Sequence, residues 1–179
     1  MSYFAAAAAR GPDGWMAAEL DLAGAADVDE VADRLRDVEP DADVAVLFVE
    51  ADDLYLAILR LDEDEDLRVF ASDAAFAEES RLGALLIGEL QPPALEIEEP
   101  AEAVEGEESE PVEEEEPERP PLDTGADPVG DADLLADLGV PAQQLLALCA
   151  HEGLLPADVT AEVCQVIGCG DQVEELREA

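Results

Sequence analysis

The chain has no lysine and no asparagine, and its eight basic residues, all arginine, stand against 48 aspartates and glutamates. The formal net charge is −40 over 179 residues. Proteins that hold nucleic acid do so chiefly by neutralising phosphates with Lys and Arg. A field this negative repels RNA, DNA and anionic membranes, so neither direct nucleic-acid binding nor membrane attachment is expected. The general consequence of the acid is solubility, and the specific one is affinity for a basic partner or for cations. Lys and Asn have AT-rich codons, while Ala, Asp, Glu, Gly, Pro and Arg abound. A GC-rich genome explains that bias, and surface acid in a salt-loving organism is a second explanation that composition leaves open.

Cysteine and histidine are also scarce. Three cysteines, an odd number, make no disulfide framework and point to a reducing, cytoplasmic setting. The opening MSYFAAAAAR has a run of small residues but no basic n-region, so no signal peptide is expected. No apolar run reaches the length needed to cross a bilayer.

The dense apolar content lies between Val44 and Leu90, within a region, residues 1–91, that reads as an α+β domain. Gly11-Pro12-Asp13-Gly14 is strong turn chemistry, with Tyr3 and Phe4 before it and Trp15 and Met16 after it, so residues 1–20 read as a hairpin. Ala5 to Ala9 favour helix by propensity. The neighbouring aromatics and the early turn favour a strand instead, its alanines marking a face closely covered by a helix. Asp27 to Val38 predicts an amphipathic helix with Val28, Val31, Ala32 and Leu35 on one stripe. Asp27 or Asp29 caps it, Arg34 and Arg36 suit its C-terminal end, and Pro40 stops it.

Val44 to Val49 suits a strand buried on both faces. An acidic turn over Glu50 to Asp53 leads to a strand from Leu54 to Leu61. Asp62 to Asp66 reads as a solvated loop, because five neighbouring carboxylates cannot be buried unpaired. Leu67 to Ala71 is a third strand, with Arg68 and Phe70 on one face. Short loops make the three an antiparallel meander. Ser72 or Asp73 then caps a helix to about Leu82, and Leu82 to Ile87 either continues it or forms another strand. The expected fold is α+β, a mainly antiparallel sheet with covering helices on one face.

Residues 92–128 are rich in Glu and Pro, include Glu113 to Glu116, and hold little that is apolar. Such a segment cannot bury enough surface to offset its ordering entropy and reads as a disordered, extended linker. It is either a spacer or a docking tail for a basic partner, and Ser109 among its acids is only a weak candidate for phosphorylation. Residues 129–179 read as a small all-helical domain of four short helices. The first runs from Asp131 to Leu138 and closes at Gly139. The second starts at Pro141, carries Leu145, Leu146, Leu148 and Cys149, and stops at Gly153. The third starts at Pro156 with Val159, Val163, Val166 and Ile167 inward and closes at Gly168. The fourth is capped by Asp171 and carries Val173 and Leu176. A bundle this small is marginal alone and needs the N-terminal region or a partner to pack on.

Cys149, His151, Cys164 and Cys169 are the right ligand types for zinc. Structural zinc sites, however, usually use closely spaced pairs on knuckles, whereas these cysteines have helical apolar spacing and read as small core residues. His151 is the single histidine, and no Ser or Thr has a claim as its catalytic partner. The acids are too numerous to single out an acid–base pair. No glycine-rich phosphate loop occurs. The zinc deaminase signature, H-x-E with a later P-C-x-x-C, is missing: Glu152-Gly153 follows His151, and no P-C-x-x-C exists. No cofactor and no catalytic residue are expected.

Several segments carry a resemblance. They are Met1-Ser2-Tyr3-Phe4-Ala5-Ala6, Asp13-Gly14-Trp15, Arg68-Val69-Phe70-Ala71-Ser72-Asp73, Ser80-Arg81-Leu82-Gly83-Ala84, and the stretch from Asp137-Leu138-Gly139 to Leu155-Pro156. With them the chain resembles the tRNA adenosine deaminase-associated protein family of high-GC actinobacteria, with the acidic linker as the variable part. The resemblance implies association with the zinc enzyme that makes inosine at the anticodon wobble position, and it brings no catalytic residues. Arg68, Ser72, Asp73 and Arg81 are candidate partner contacts, each with an ordinary structural explanation beside it: Asp73 as a helix cap, either Arg as its ion-pair partner. The expected function is a non-enzymatic accessory or regulatory protein that binds the deaminase. The alternative is a stand-alone acidic interaction module with an unrelated basic partner. The oligomeric state stays open.

Overall fold

The computed structural model describes residues 3–51, 54–64, 66–79, 81–87, 128–151 and 153–179. The acidic linker expected over 92–128, Ser109 included, lies outside them apart from Pro128. The frame is one antiparallel sheet. Strands β1 (Tyr3–Gly11) and β2 (Gly14–Glu19) form the N-terminal hairpin, so the alanine run is a strand. Strand β1 pairs on its other side with β3 (Val44–Ala51), which continues through β4 (Tyr55–Asp62) to β5 (Leu67–Ala71) as a meander. A two-residue strand, β6 (Val129–Gly130), adds to β5, giving the order β2-β1-β3-β4-β5-β6.

Both faces of the sheet are covered. Alternate residues of each strand point to opposite faces, and the alanines of β1 divide accordingly. Ala5, Ala7 and Ala9 join one core with Leu47, Val49, Tyr55 and Leu59. Ala6 and Ala8 join the other with Val46, Phe48, Leu56, Ile58 and Phe70. Helices α1 (Val28–Val38), α2 (Ala74–Glu79) and α3 (Arg81–Ile87) cover the first face. Helices α4 (Ala142–Ala150), α5 (Pro156–Ile167) and α6 (Gly170–Glu178) cover the second. This is why β3 is buried at every position. Leu134, Leu135, Val140 and Leu145 are fully buried in the second core. At about 1.5–3 kcal/mol per large apolar side chain, such burial holds the C-terminal helices on the sheet.

The local signals act as read in several places. The Asp27 carboxylate accepts the Glu30 N–H at 2.9 Å and caps α1, whose buried stripe is Val28, Val31, Ala32 and Leu35. Pro156 opens α5, and Asp158 in its first turn accepts the Leu155 N–H at 3.1 Å. The segment from Leu82 to Ile87 is helical.

Other expectations need correction. Glu50 is not in a turn: β3 runs on to Ala51, and Glu50 is buried with its charge met by Arg177. Asp62 is not a solvated loop residue but the last of β4, paired with Arg60 and Arg68. Between Asp131 and Leu138 only Ala136–Leu138 is helical, as a 3-10 turn, because Asp131 instead donates its N–H to the Val69 carbonyl at 2.9 Å beside β6. Val166 is 44% exposed, and Thr160 and Cys164 take the inward positions of α5. Thr160 can be buried because its hydroxyl donates to the Pro156 carbonyl at 3.0 Å. Asp171 lies in the first turn of α6, whose N-cap is Cys169.

Candidate interaction surface

Arg60 and Arg68 are direct cross-strand partners on β4 and β5. Two adjacent guanidiniums need acid around them, and Arg60 is only 5% exposed. Its Nε donates to Asp62 at 2.9 Å and one terminal nitrogen donates to the Leu134 carbonyl at 2.6 Å. Both terminal nitrogens donate to the two carboxylate oxygens of Asp137, one of them at 2.8 Å. The fork therefore ties the segment before α4 to the middle of the sheet. The Asp137 bonds raise the Arg60 pKa further and hold the Asp137 carboxyl below the usual carboxylate range. Arg68 is met by Asp62 at 3.3 Å and Asp66 at 3.7 Å.

A second tie stands near the opposite end of the strands. Arg177 of α6 pairs with Glu50, and its guanidinium lies 4.8 Å from the centre of the Phe4 ring. Sequence reasoning missed Asp137, Glu50 and Arg177. One signal was available: a buried-strand pattern containing Glu50 or Arg60 requires an opposite charge brought from elsewhere.

Ser72 and Asp73 also have structural duties. Ser72 extends the β4–β5 ladder by one step: its N–H donates to the Leu56 carbonyl at 2.8 Å, and its hydroxyl accepts the Leu56 N–H at 3.0 Å. Asp73 accepts the Phe76 N–H at 3.1 Å and caps α2. Phe76 stacks on Tyr55 with ring centres 4.8 Å apart. Burial, with the Asp73 charge nearby, pushes the Tyr55 phenol pKa upward.

Arg81 is exposed at the start of α3 and borders a cleft of about 580 Å³. The lining includes Tyr3, Leu22, Gly24, Ala25 and Leu85. Its volume is that of a ligand pocket. The Tyr3 hydroxyl is already engaged, donating to Asp21 at 3.3 Å and accepting the Leu22 N–H at 3.1 Å. By strand register, Tyr3, Ala51, Tyr55 and Ser72 share one end of the sheet. Ser72, Asp73 and the Arg81 cleft are thus brought toward one end, and Arg68 lies at the other.

The cysteines are core residues. Cys164 and Cys169 are buried, and the Cys164 carbonyl accepts the N–H of Gly168 and of Cys169, each at 2.9 Å, closing α5. The hydrogen bond to Cys169, with burial, pushes the Cys164 thiol up, and burial pushes the half-buried Cys149 thiol up to about 11. Among the described residues, no three His, Cys, Asp or Glu side chains converge as a metal site. No helix among them is long and apolar enough to cross a membrane.

The family model of Rv3753c-like tRNA adenosine deaminase-associated proteins matches residues 3–170. The chain belongs to this family. No curated protein and no solved structure gives a match. The family match runs from β1 to the start of α6 and so takes in both faces of the sheet. In this chain the segments quoted from the sequence have physical duties. Asp13-Gly14 turns the hairpin, Ser72-Asp73 ends a strand and caps a helix, and Asp137 grips Arg60. Gly139 takes a left-handed φ of 106°, and a Cβ there would lie 3.2 Å from the Val166 side chain.

Proposed function

We propose that this chain is a non-enzymatic accessory or regulatory protein that binds a tRNA adenosine deaminase in the cytoplasm. The observation that carries the reading is the family match over residues 3–170, joined by a net charge of −40. An enzyme that binds tRNA must present cationic surface to the phosphates. An acidic protein is complementary to that surface and competes with RNA for it. The accessory protein then tunes access of tRNA to the deaminase without touching RNA itself. Among Arg68, Ser72, Asp73 and Arg81, we favour Arg81 as a direct contact, because it is exposed beside the cleft; as a cation it would meet a carboxylate of the enzyme outside the cationic surface. The other three contribute by shaping the sheet ends.

The test is the affinity of the full chain for the deaminase of the same genome across a salt series. Charge competition requires affinity to fall steeply as salt shortens the Debye length from roughly 30 Å at 0.01 M to 8 Å at 0.15 M. Binding unaffected by salt removes the electrostatic mechanism. The same charge would suit an unrelated basic protein, and that reading takes over if no complex with the deaminase forms.

A further inference from the structure

The sheet has two unlike edges. One ends in the two-residue β6. The other is β2, six residues long, or roughly 20 Å at strand rise. The hydrogen bonds of its neighbours fix which β2 groups are free. The Leu20 N–H donates to the Ala5 carbonyl at 2.8 Å, and the Asp43 N–H donates to the Arg10 carbonyl at 3.0 Å. Odd residues of β1 therefore bond toward β2 and even residues toward β3. With Ala7 opposite Ala18 and Ala9 opposite Met16, the inward-bonding residues of β2 are Gly14, Met16 and Ala18. The N–H and C=O groups of Trp15, Ala17 and Glu19 point outward, and no described residue bonds to them.

Exposed edges are normally blunted by Lys, Pro, a bulge or a covering element. The sequence of β2, GWMAAE, has no Lys and no Pro, and its pairing with β1 is regular from Gly14 to Glu19. The ring of Trp15 and the side chain of Ala17 pack into the second core, so the strand is held in shape. On the opposite side of β2, Met16 is 47% exposed. The setting is acidic on balance. Glu19 and Asp13 are exposed, as are Asp171, Glu174, Glu175 and Glu178 of α6, the helix packed across β1 and β2. Against these six carboxylates stands Arg10 of β1, whose guanidinium lies 5.9 Å from the centre of the Trp15 ring.

We propose that this edge is the docking surface: an extended segment of the deaminase bearing Lys or Arg adds to β2 as a further strand. The segment's main chain pairs with Trp15, Ala17 and Glu19, and its basic side chains meet the surrounding carboxylates. This rests on the accessory reading above. A second copy of the chain is a poorer occupant, because two molecules each carrying −40 repel one another across a β2–β2 contact.

The experiment uses the full chain with the deaminase from the same genome, combining residue-resolved amide hydrogen exchange with a binding titration. Saturation with the enzyme is expected to slow exchange at Trp15, Ala17 and Glu19 by at least about tenfold, while Met16 and Ala18, already bonded to β1, change little. Ala17→Pro removes an outward N–H without breaking a bond to β1 and is expected to weaken binding by about tenfold or more. Glu19→Lys leaves the backbone intact and is expected to weaken it through charge. The alternating protection in the unaltered chain decides the matter even if Ala17→Pro folds poorly. Binding without that alternation overturns the edge and leaves the accessory reading standing. Absence of binding overturns both. A dimer of the chain alone that Ala17→Pro converts to monomer replaces the basic segment with a second copy.

Discussion

Replacing Asp137 by Ala removes the carboxylate that grips Arg60 and leaves a nearly buried guanidinium short of a partner. Two hydrogen bonds to a charged group contribute about 3–6 kcal/mol before screening. The Asp137 side chain is 59% exposed, so solvent weakens its field. Arg60 also keeps Asp62 and the Leu134 carbonyl. The expected loss is therefore about 2 kcal/mol, or roughly 4–8 °C in Tm for a chain of this size. Urea unfolding at pH 7, followed by circular dichroism, measures it. Asp137→Asn should cost about half as much, because an amide oxygen still accepts from the guanidinium. The double change Arg60→Met with Asp137→Leu should cost less than Asp137→Ala alone, since no charge is then left buried without its partner. If Asp137→Ala stays within about 0.5 kcal/mol of the unaltered chain, the fork does not hold the C-terminal segment and the reasoning fails.

The same carboxylate sets a pH dependence. Because Arg60 lowers the Asp137 pKa in the folded chain, its contribution is complete above the unfolded value of about 4 and fades as pH falls through the lower folded value. The stability gap between the unaltered chain and Asp137→Asn should close over that acid range and stay constant from about pH 5 to 8. A Cβ on Gly130, at a φ of 93°, would overlap the Val69 carbonyl oxygen. Gly130→Ala should detach β6 and cost about 2 kcal/mol or more, read from the urea midpoint. Native thiols should react slowly with an aromatic disulfide reagent at pH 8, since Cys164 and Cys169 are buried and Cys149 titrates near 11; all three should react promptly in denaturant. Ala7 is fully buried beneath the first-face helices, and Ala7→Leu should cost about 1–3 kcal/mol by overpacking.

Periodicity made the sheet legible. The strand expected over Leu67–Ala71, the apolar run from Val44 to Val49 that β3 extends to Ala51, and the Asp27-capped stripe of α1 were each readable from local pattern. The docking of the C-terminal helices was not legible. It depends on Arg60 meeting Asp137 and Glu50 meeting Arg177, pairs far apart in the chain with no local pattern to announce them. Placing Glu50 in a turn followed from treating a carboxylate as a mark of exposure; Glu50 is buried in β3 because Arg177 meets its charge. The alanines of β1 hinted at a covering helix, and their being small on both faces was the available sign that helices pack on both. Of the candidate contacts, the duties of Ser72 and Asp73 could be read locally as strand end and cap. The Arg81 cleft is formed by residues from separated parts of the chain and was invisible in sequence.

The most direct measurement is co-elution of the full chain with the tRNA adenosine deaminase of the same genome, by size-exclusion chromatography with light scattering at physiological salt and about 20 μM of each protein. Under the accessory reading the two leave the column together with the summed mass of a defined complex, as a micromolar or tighter Kd requires. Two separate peaks, each with the mass of its own free protein, would contradict it.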